Sequence, residues 1–375
     1  MGPGVTGSMV GATLGLNVTL VSLADGVDIE RVGHILRPYN IDSRYESSAA
    51  TVTFGYATPL SVPSIIPRPD SIERQPLQAD GGDALVYGMV DALPLVTAKR
   101  VVYDPQSAWL PLRFRSQLGG TAEKLAYVLN ARELRRLVPD LAMGEAARSL
   151  MRDENAQIVV VKNGLSGAVV FEGEVEHRVP AYRRGQGANL VGSGDVFSAA
   201  FACRWFAGDA AADAARAASR MVANFVADGI VEAVDDPLPE DVIKPWSGDV
   251  YIAGPFFTLA ERWLVEEVRL YVEELGMRAR SPLHEVGIGR AEVIAPADLA
   301  MLGECQRVLA LCDGRDPGTI FEAGYATKTG IPVWAVSTST READADKGDL
   351  RMLLGTGSRI FDDLTAALVD LATAE

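Results

Sequence analysis

Two α/β domains in tandem are what this sequence predicts, the first larger than the second and each built on a mainly parallel sheet. Three observations lead there. Short β-branched runs alternate with alanine-rich amphipathic stretches, the pattern of strand–helix–strand units. The length of 375 residues is ample for two separate cores. One segment, EAVDDPLPEDVIKPWSGD at 232–249, sets three prolines and a cluster of acids between a long helical pattern and a fresh strand, which suits a linker. The expected boundaries are a first domain at 1–238, a linker at 239–248 and a second domain at 249–375.

Taken in order, the strand-like runs are NVTLVSL (17–23), KRVVYD (99–104), QIVVVK (157–162), DVYIAG (249–254), RVLALCD (307–313) and IPVWAVS (331–337). Each is short and β-branched, and their alternation with helical stretches reads as parallel sheets with covering helices. The helical stretches are AEKLAYVL (122–129), VFSAAFACRWFAG (196–208), AAADAARAASRMVANFVADG (210–229), AERWLVEEVRLYVEELG (260–276) and LTAALVDLATA (364–374). The stretch from 57 to 83, rich in Pro, Ser and Asp, reads as loops or an edge flap.

Composition narrows the function. Thirty-five basic residues against fifty acidic leave a charge of −15 and a pI near 4.8. That balance repels nucleic-acid backbones, and no basic patch offsets it, so no nucleic-acid polymer is expected as partner. Three scattered cysteines (Cys203, Cys305, Cys312) offer neither CxxC spacing nor a disulfide framework, and three distant histidines make no zinc pattern. Cys305 and Cys312 read as core. No apolar run reaches the roughly 18 residues of a membrane span, and the start lacks a signal-peptide layout. A cytoplasmic protein acting on small molecules is the expectation.

In the first domain the sharpest feature is Gly192-Ser193-Gly194-Asp195, immediately before the apolar helix VFSAAFACRWF. Two glycines let backbone N–H groups converge at a helix N-terminus, an anion hole suited to a transferring phosphoryl group. Asp195 stands where a carboxylate could accept the acceptor hydroxyl's proton. By itself the tetrapeptide serves equally as a plain helix cap. GSGDVFSAAF after VVVKNGLSGAVVF resembles the second signature of the PfkB (ribokinase-like) sugar and nucleoside kinases, and the likeness extends over about residues 2–230. The resemblance implies a ribokinase-like fold, Asp195 as catalytic base and the Gly192–Gly194 backbone as anion hole. It implies ATP and Mg²⁺ as cofactors, with Asn130 and Glu133 organising magnesium and phosphate without direct protein ligation of the metal, and Lys162 and Gly164 beside the ATP site. The stretch 16–42 resembles the family's segment near the sugar pocket.

Three departures from the family stand in the chain. The leading Asp-Thr of the family signature is Asn189-Leu190, which weakens the magnesium and phosphate side. Gly2-Pro3-Gly4-Val5-Thr6 matches the sugar-gripping glycines and Asn badly. The opening strand with its substrate-binding aspartate has no counterpart, so the kinase domain is expected to be N-terminally incomplete, either because the chain starts downstream of that strand or because the domain has lost part of its acceptor site. Active kinase and degenerate kinase fold both stay open.

The second domain opens with Tyr251-Ile252-Ala253-Gly254-Pro255, a strand ending in a turn that exposes backbone amides where α/β ligands bind. In DGRDPGTIFEAGYA, Pro317 suits a first helical turn, which would carry Glu322 in the helix's early turns, near its positive end. YIAGPFF, the isolated Asp298 and Asp316 six residues before Glu322 together resemble the nucleoside 2-deoxyribosyltransferase family, with its nucleotide N-glycosidase relatives, over about 249–340. The fold implied is a smaller Rossmann-like or flavodoxin-like parallel α/β domain. The resemblance implies Glu322 as nucleophile on the anomeric carbon, giving a glycosyl-enzyme intermediate resolved by a base or by water, with no cofactor. Asp298 and Asp316 match acids that bind the sugar or base, and one would protonate the leaving base; for Asp298 a helix cap is the other reading. Tyr251, Gly254 and Pro255 would line the pocket. Ser281 and His284 would select monophosphates, or His284 is a surface histidine. The family also implies a homo-oligomer.

Joined, the halves predict an enzyme that cleaves or exchanges the N-glycosidic bond of a (deoxy)nucleoside or its monophosphate through Glu322, coupled to an ATP-dependent kinase-like domain. One alternative makes the PfkB-type sugar or nucleoside kinase the main activity. Another is a nucleotide sensor that binds ligand and turns over poorly.

Overall fold

The computed structural model describes residues 2–107, 110–185, 189–229, 231, 241–338 and 350–374. The chain separates into two compact units, residues 1–55 with 63–243 and residues 56–62 with 244–375. Of the expected linker segment, residues 232–240 lie outside the described residues.

The first unit runs α1 (Pro3–Thr13), β1 (Thr19–Ala24), α2 (Gly26–Leu36), β2 (Asp42–Ser47), β3 (Thr53–Gly55), β4 (Ser64–Ile66), β5 (Gln75–Tyr87), β6 (Ala92–Asp104), β7 (Thr121–Asn130), α3 (Ala131–Leu137), α4 (Met143–Glu154), β8 (Ile158–Lys162), β9 (Ala168–Glu172), β10 (Val175–Val179), α5 (Ser193–Phe206) and α6 (Ala211–Asp228). Its main sheet has six strands in the order β10-β9-β8-β7-β6-β5, and β1–β2 and β3–β4 form two small pairs. From β5 to β8 the pairing is parallel, while β9 and β10 turn back antiparallel.

Side-chain alternation divides this sheet between two cores. Val102, Val128, Val160 and Val170 pack with Val196, Phe201 and Ala214 of α5 and α6. Val101, Tyr127, Val159 and Val161 pack on the other face with Leu134, Ala147 and Leu150 of α3 and α4. The result is a helix–sheet–helix sandwich.

One expected element changes type. AEKLAYVL, read as helical, is the strand β7. Leu125 to Leu129 are all fully buried, one alternate set in each core, so the run is apolar because both its faces are covered. A second difference concerns 57–83. The polar run Gln75–Tyr87 is no loop but a 13-residue strand pairing in parallel with β6 at the sheet edge. Gly2-Pro3-Gly4-Val5-Thr6 opens α1, with Gly2 as N-cap and Pro3 at its first turn.

The second unit runs β11 (Asp249–Ala253), α7 (Leu259–Glu274), β12 (Arg278–Arg280), α8 (Pro282–Glu285), α9 (Ala291–Glu304), β13 (Arg307–Leu311), α10 (Pro317–Thr329), β14 (Val333–Val336), α11 (Arg351–Gly355), β15 (Arg359–Phe361) and α12 (Leu364–Thr373). All five strands are parallel, in the order β12-β11-β13-β14-β15. Counted within the unit this is 2-1-3-4-5, the flavodoxin-like order, whose strand order reverses between β11 and β13. Cys305 and Cys312 are buried in this core, as read. Among the described residues no helix is long and apolar enough to cross a membrane.

Candidate functional sites

In the first unit, chemistry collects where parallel strands end. Tyr87, Asp104, Asn130 and Lys162 are the last residues of β5, β6, β7 and β8. α5 begins against them. Gly192 at its N-cap adopts φ +88, a left-handed conformation that glycine alone reaches at low cost. Ser193 N bonds Leu190 O and Val196 N bonds Gly192 O, while the amides of Gly194 and Asp195 meet no acceptor among the described residues. Amides left without acceptors at a helix N-terminus are the condition an anion hole requires.

Asp195 is fixed from two sides. Gln106 Nε2 donates to its Oδ1 at 2.8 Å, and Tyr87 OH donates to its backbone oxygen at 2.9 Å. Burial, aided by the Asp104 charge, pushes its carboxyl up to about 6, against the opposing pull of Lys162 and Gln106. Beneath it, Lys162 Nζ bonds the wholly buried Asp104 Oδ2 at 2.6 Å and Ser198 Oγ at 3.1 Å, and Ser198 Oγ donates to the same Asp104 oxygen at 2.6 Å. Burial opposes the Lys162 ammonium, but the Asp104, Glu133 and Asp195 carboxylates outweigh it and hold the group above the usual lysine range. A Cβ on Gly194 would lie 3.6 Å from that ammonium, so the cation sits directly under the glycine turn.

Asn130 Oδ1 and Glu133 Oε2 are spent on a capping box. Asn130 Oδ1 accepts from Arg132 N and Glu133 N, and Glu133 Oε2 accepts from Asn130 N. Burial, then the Asp104 charge, raises Glu133 to about 7. Among the described residues no group of three or more His, Cys, Asp or Glu side chains converges to hold a metal. Gly164 turns the chain after β8 at φ +53. A cavity of about 440 Å³ opens beside Gln106. The sequence reading missed Asp104, Gln106 and Ser198. The available signal was an Asp-Pro pair closing the strand run KRVVYD, at the end of a parallel strand where ligands gather.

In the second unit the turns after β11 and β13 flank the reversal of strand order. A Cβ on Gly254 would lie 3.1–3.4 Å from Leu311 side-chain atoms, so the chain leaves β11 in tight contact with the end of β13 and a larger residue here would press on Leu311. Pro255 follows, half-buried. Asp316 is the N-cap of α10, its Oδ2 accepting from Thr319 N at 2.7 Å and Thr319 Oγ1 at 3.0 Å, with Pro317 in the first turn as expected. Arg315, at φ +56, donates to Cys312 O at 2.6 Å and Ser337 Oγ at 3.0 Å and so ties the loop to β14.

From α10, Glu322 reaches back to β11, where Tyr251 OH donates to its Oε1 at 2.7 Å. Burial pushes Glu322 up to about 7; the Tyr251 hydrogen bond pulls down, and the Asp298 and Asp316 charges push further up. The same surroundings drive the Tyr251 hydroxyl far above the tyrosine range. Asp298 lies in the middle of α9, so it is not a helix cap. Its Oδ1 is buried without a hydrogen-bond partner, and burial raises its carboxyl.

Ser281 precedes α8, 2% exposed, with Oγ unbonded. His284 faces Glu266 of α7, Nε2 to Oε1 at 2.8 Å. The structure thus gathers Tyr251, Glu322, Asp298 and Asp316, while His284 is engaged by an acid outside that set.

Residues 95–227 match the pfkB family carbohydrate kinase model, and residues 250–359 match the nucleoside 2-deoxyribosyltransferase model. No curated protein matches the chain. Solved structures that resemble it include a Burkholderia thailandensis nucleoside kinase in complex with inosine (14% identity, 62% of this chain and 82% of that one, TM-score 0.46). A Thermotoga maritima ribokinase gives 17% identity over 60% of this chain and 80% of its own, TM-score 0.44. A Vibrio cholerae fructokinase with fructose, ADP and calcium gives 15% over 61% and 85%, TM-score 0.44. One family match falls inside each compact unit, and the chain is a fusion of a PfkB-family kinase domain with a nucleoside 2-deoxyribosyltransferase-family domain.

Proposed function

We propose that the second unit cleaves or exchanges the N-glycosidic bond of a (deoxy)nucleoside or its monophosphate through Glu322, within a chain that also carries an ATP-dependent kinase domain. The observation that carries this reading is the 2.7 Å hydrogen bond from Tyr251 to Glu322 at the reversal of strand order. It orients one carboxylate oxygen and leaves the other to attack the anomeric carbon. As the glycosyl–oxygen bond forms, the C–N bond breaks and its electron pair leaves with the base. Asp298, its carboxyl raised by burial, supplies the proton the base takes up. A second base, or water, then attacks the same carbon and releases Glu322. Exposed Leu259, Trp263, Val293 and Phe321 in this unit favour a homo-oligomer.

A second reading, phosphoryl transfer by the first unit, is favoured by Asp195. Its carboxylate is aimed by Gln106 beside the free amides of Gly194 and Asp195, with the Lys162 ammonium below. Those groups suit the phosphates of ATP. Asn130 Oδ1 and Glu133 Oε2 are engaged in their capping box, which favours a role in shaping the phosphate side rather than direct magnesium ligation.

Chromatography of a nucleoside and nucleoside-monophosphate panel, with and without ATP–Mg²⁺, tests both readings. Base release should vanish in Glu322→Ala and persist in Asp195→Asn, while ATP-dependent phosphorylation should do the reverse. Base release that survives Glu322→Ala refutes the assignment. Ligand binding with negligible turnover in either assay would favour the sensor reading.

A further inference from the structure

We propose that the acceptor phosphorylated by the first unit is a nucleoside, with its ribose toward Asp195 and its base in the adjoining cavity, rather than a free sugar or polyol. This rests on the second reading above. Gln106 joins the two places: its Nε2 holds Asp195 Oδ1 at 2.8 Å while the residue itself lines the 440 Å³ cavity. An acceptor seated there presents its hydroxyl to Asp195.

The walls decide what the rest of that acceptor is. Ile65, Met89, Val90, Leu112 and Leu118 make much of the lining. Tyr103 contributes only its ring, because its hydroxyl already donates to Leu112 O at 2.8 Å. Four prolines in the lining offer no N–H. Polar side chains come from two segments, Gln106 with Ser107, and Asp70 with Arg74. Ser107 Oγ already accepts from Leu110 N at 3.0 Å.

A free sugar carries a hydroxyl on nearly every carbon, so most would be buried against aliphatic walls without partners. A nucleoside divides as the lining does. Its ribose hydroxyls meet Gln106 and Ser107, its flat base covers apolar wall, and its polar base edge is within the class of group that Asp70 and Arg74 recognise. The volume lies in the range of sites that enclose a ligand larger than a monosaccharide.

The test uses the full chain with ATP–Mg²⁺ and two acceptor sets, common ribo- and deoxynucleosides against ribose, deoxyribose, fructose and myo-inositol. ADP formation and the mass of the phosphorylated product are the readouts. At least one nucleoside should exceed every free sugar in kcat/KM by on the order of 10²-fold. Val90→Arg and Ile65→Arg, two half-buried positions that would each place a cation in the cavity, should lose most of that preference. Equal or better use of a free sugar overturns the proposal, as does inhibition by the preferred nucleoside that is competitive with ATP. Titration calorimetry separates this failure from failure of the kinase reading. If no acceptor is phosphorylated but nucleoside stoichiometry drops by one in Val90→Arg, the kinase reading fails and the nucleoside cavity stands. An unchanged stoichiometry in that case overturns it.

Discussion

Tyr251→Phe isolates what one hydroxyl does for the candidate nucleophile. The variant keeps the ring, which is fully buried in the β11 core, and deletes only the donor 2.7 Å from Glu322. A hydrogen bond to a charged group contributes about 1.5–3 kcal/mol, and a tenfold change in acidity corresponds to about 1.4 kcal/mol. The bond stabilises the carboxylate, so losing it carries Glu322 upward from about 7 by roughly one to two pH units. Attack needs the ionised form. At pH 7 that form falls from about half of the molecules to between roughly a tenth and a hundredth, a loss of about 5–50-fold in base release. The assay is kcat/KM for base release between pH 5 and 10. The wild-type rate should fall as pH drops through about 7, and in Tyr251→Phe that fall should begin at about 8–9, with the two curves converging above it. A uniform loss at every pH, with the acid limb still near 7, would refute the argument that Tyr251 sets the charge of Glu322.

Two further variants read the sites through stability. Glu322 has its carboxyl raised by burial, so the folded state favours the protonated form; the stability this confers is complete below about 4.5 and is lost as pH rises through about 7. Glu322→Gln should therefore abolish base release yet stabilise the second unit at pH 8 by up to roughly 3 kcal/mol, a gain that calorimetric melting should show fading by pH 5. Lys162→Met leaves the Asp104 carboxylate buried with only Ser198 bonded to the same oxygen, and urea unfolding should show a loss of about 3–5 kcal/mol. Adding Asp104→Asn should recover part of that loss, and strictly additive effects would refute the pairing.

How far the sequence discloses this fold depends on what surrounds each element. β8 and β13 are buried on both faces and read directly from VVV and RVLAL. β7 is buried just as fully, but LAYVL mixes Leu and Ala with Tyr and Val, and nothing local separates a short buried strand from a helix. Its type is set by β6 and β8 on either side. β5 eludes a pattern search for the opposite reason. At the sheet edge, QPLQADGGDALVY is mostly exposed, so its strand character comes from the ladder with β6 rather than from side chains. α1 carries three glycines and still forms a helix. Its residues Thr6–Gly11 are buried, and Gly7 leaves the space that Tyr87 occupies.

The candidate sites show the same division between chemistry held in one segment and chemistry assembled from several. Glu322 and Asp316 share a stretch of seven residues, and Asp195 follows its two glycines directly, so each is legible as a motif. Their partners are not. Tyr251 is 71 positions from Glu322, and Gln106 is 89 from Asp195. Yet the partners decide the protonation state. Burial alone would push both carboxyls up and leave them poor bases or nucleophiles near neutrality; the Lys162 ammonium and then the Gln106 amide, from the loop after β6, pull Asp195 back to about 6, and the Tyr251 donor on β11 pulls Glu322 back to about 7. A carboxylate must be dry enough to react and supported enough to stay charged, and only the strand ends of a folded sheet supply both conditions at one atom. A third carboxylate, Asp298, less deeply buried but raised by burial with no such donor to its Oδ1, is fitted to the opposite task of holding a proton until the base departs.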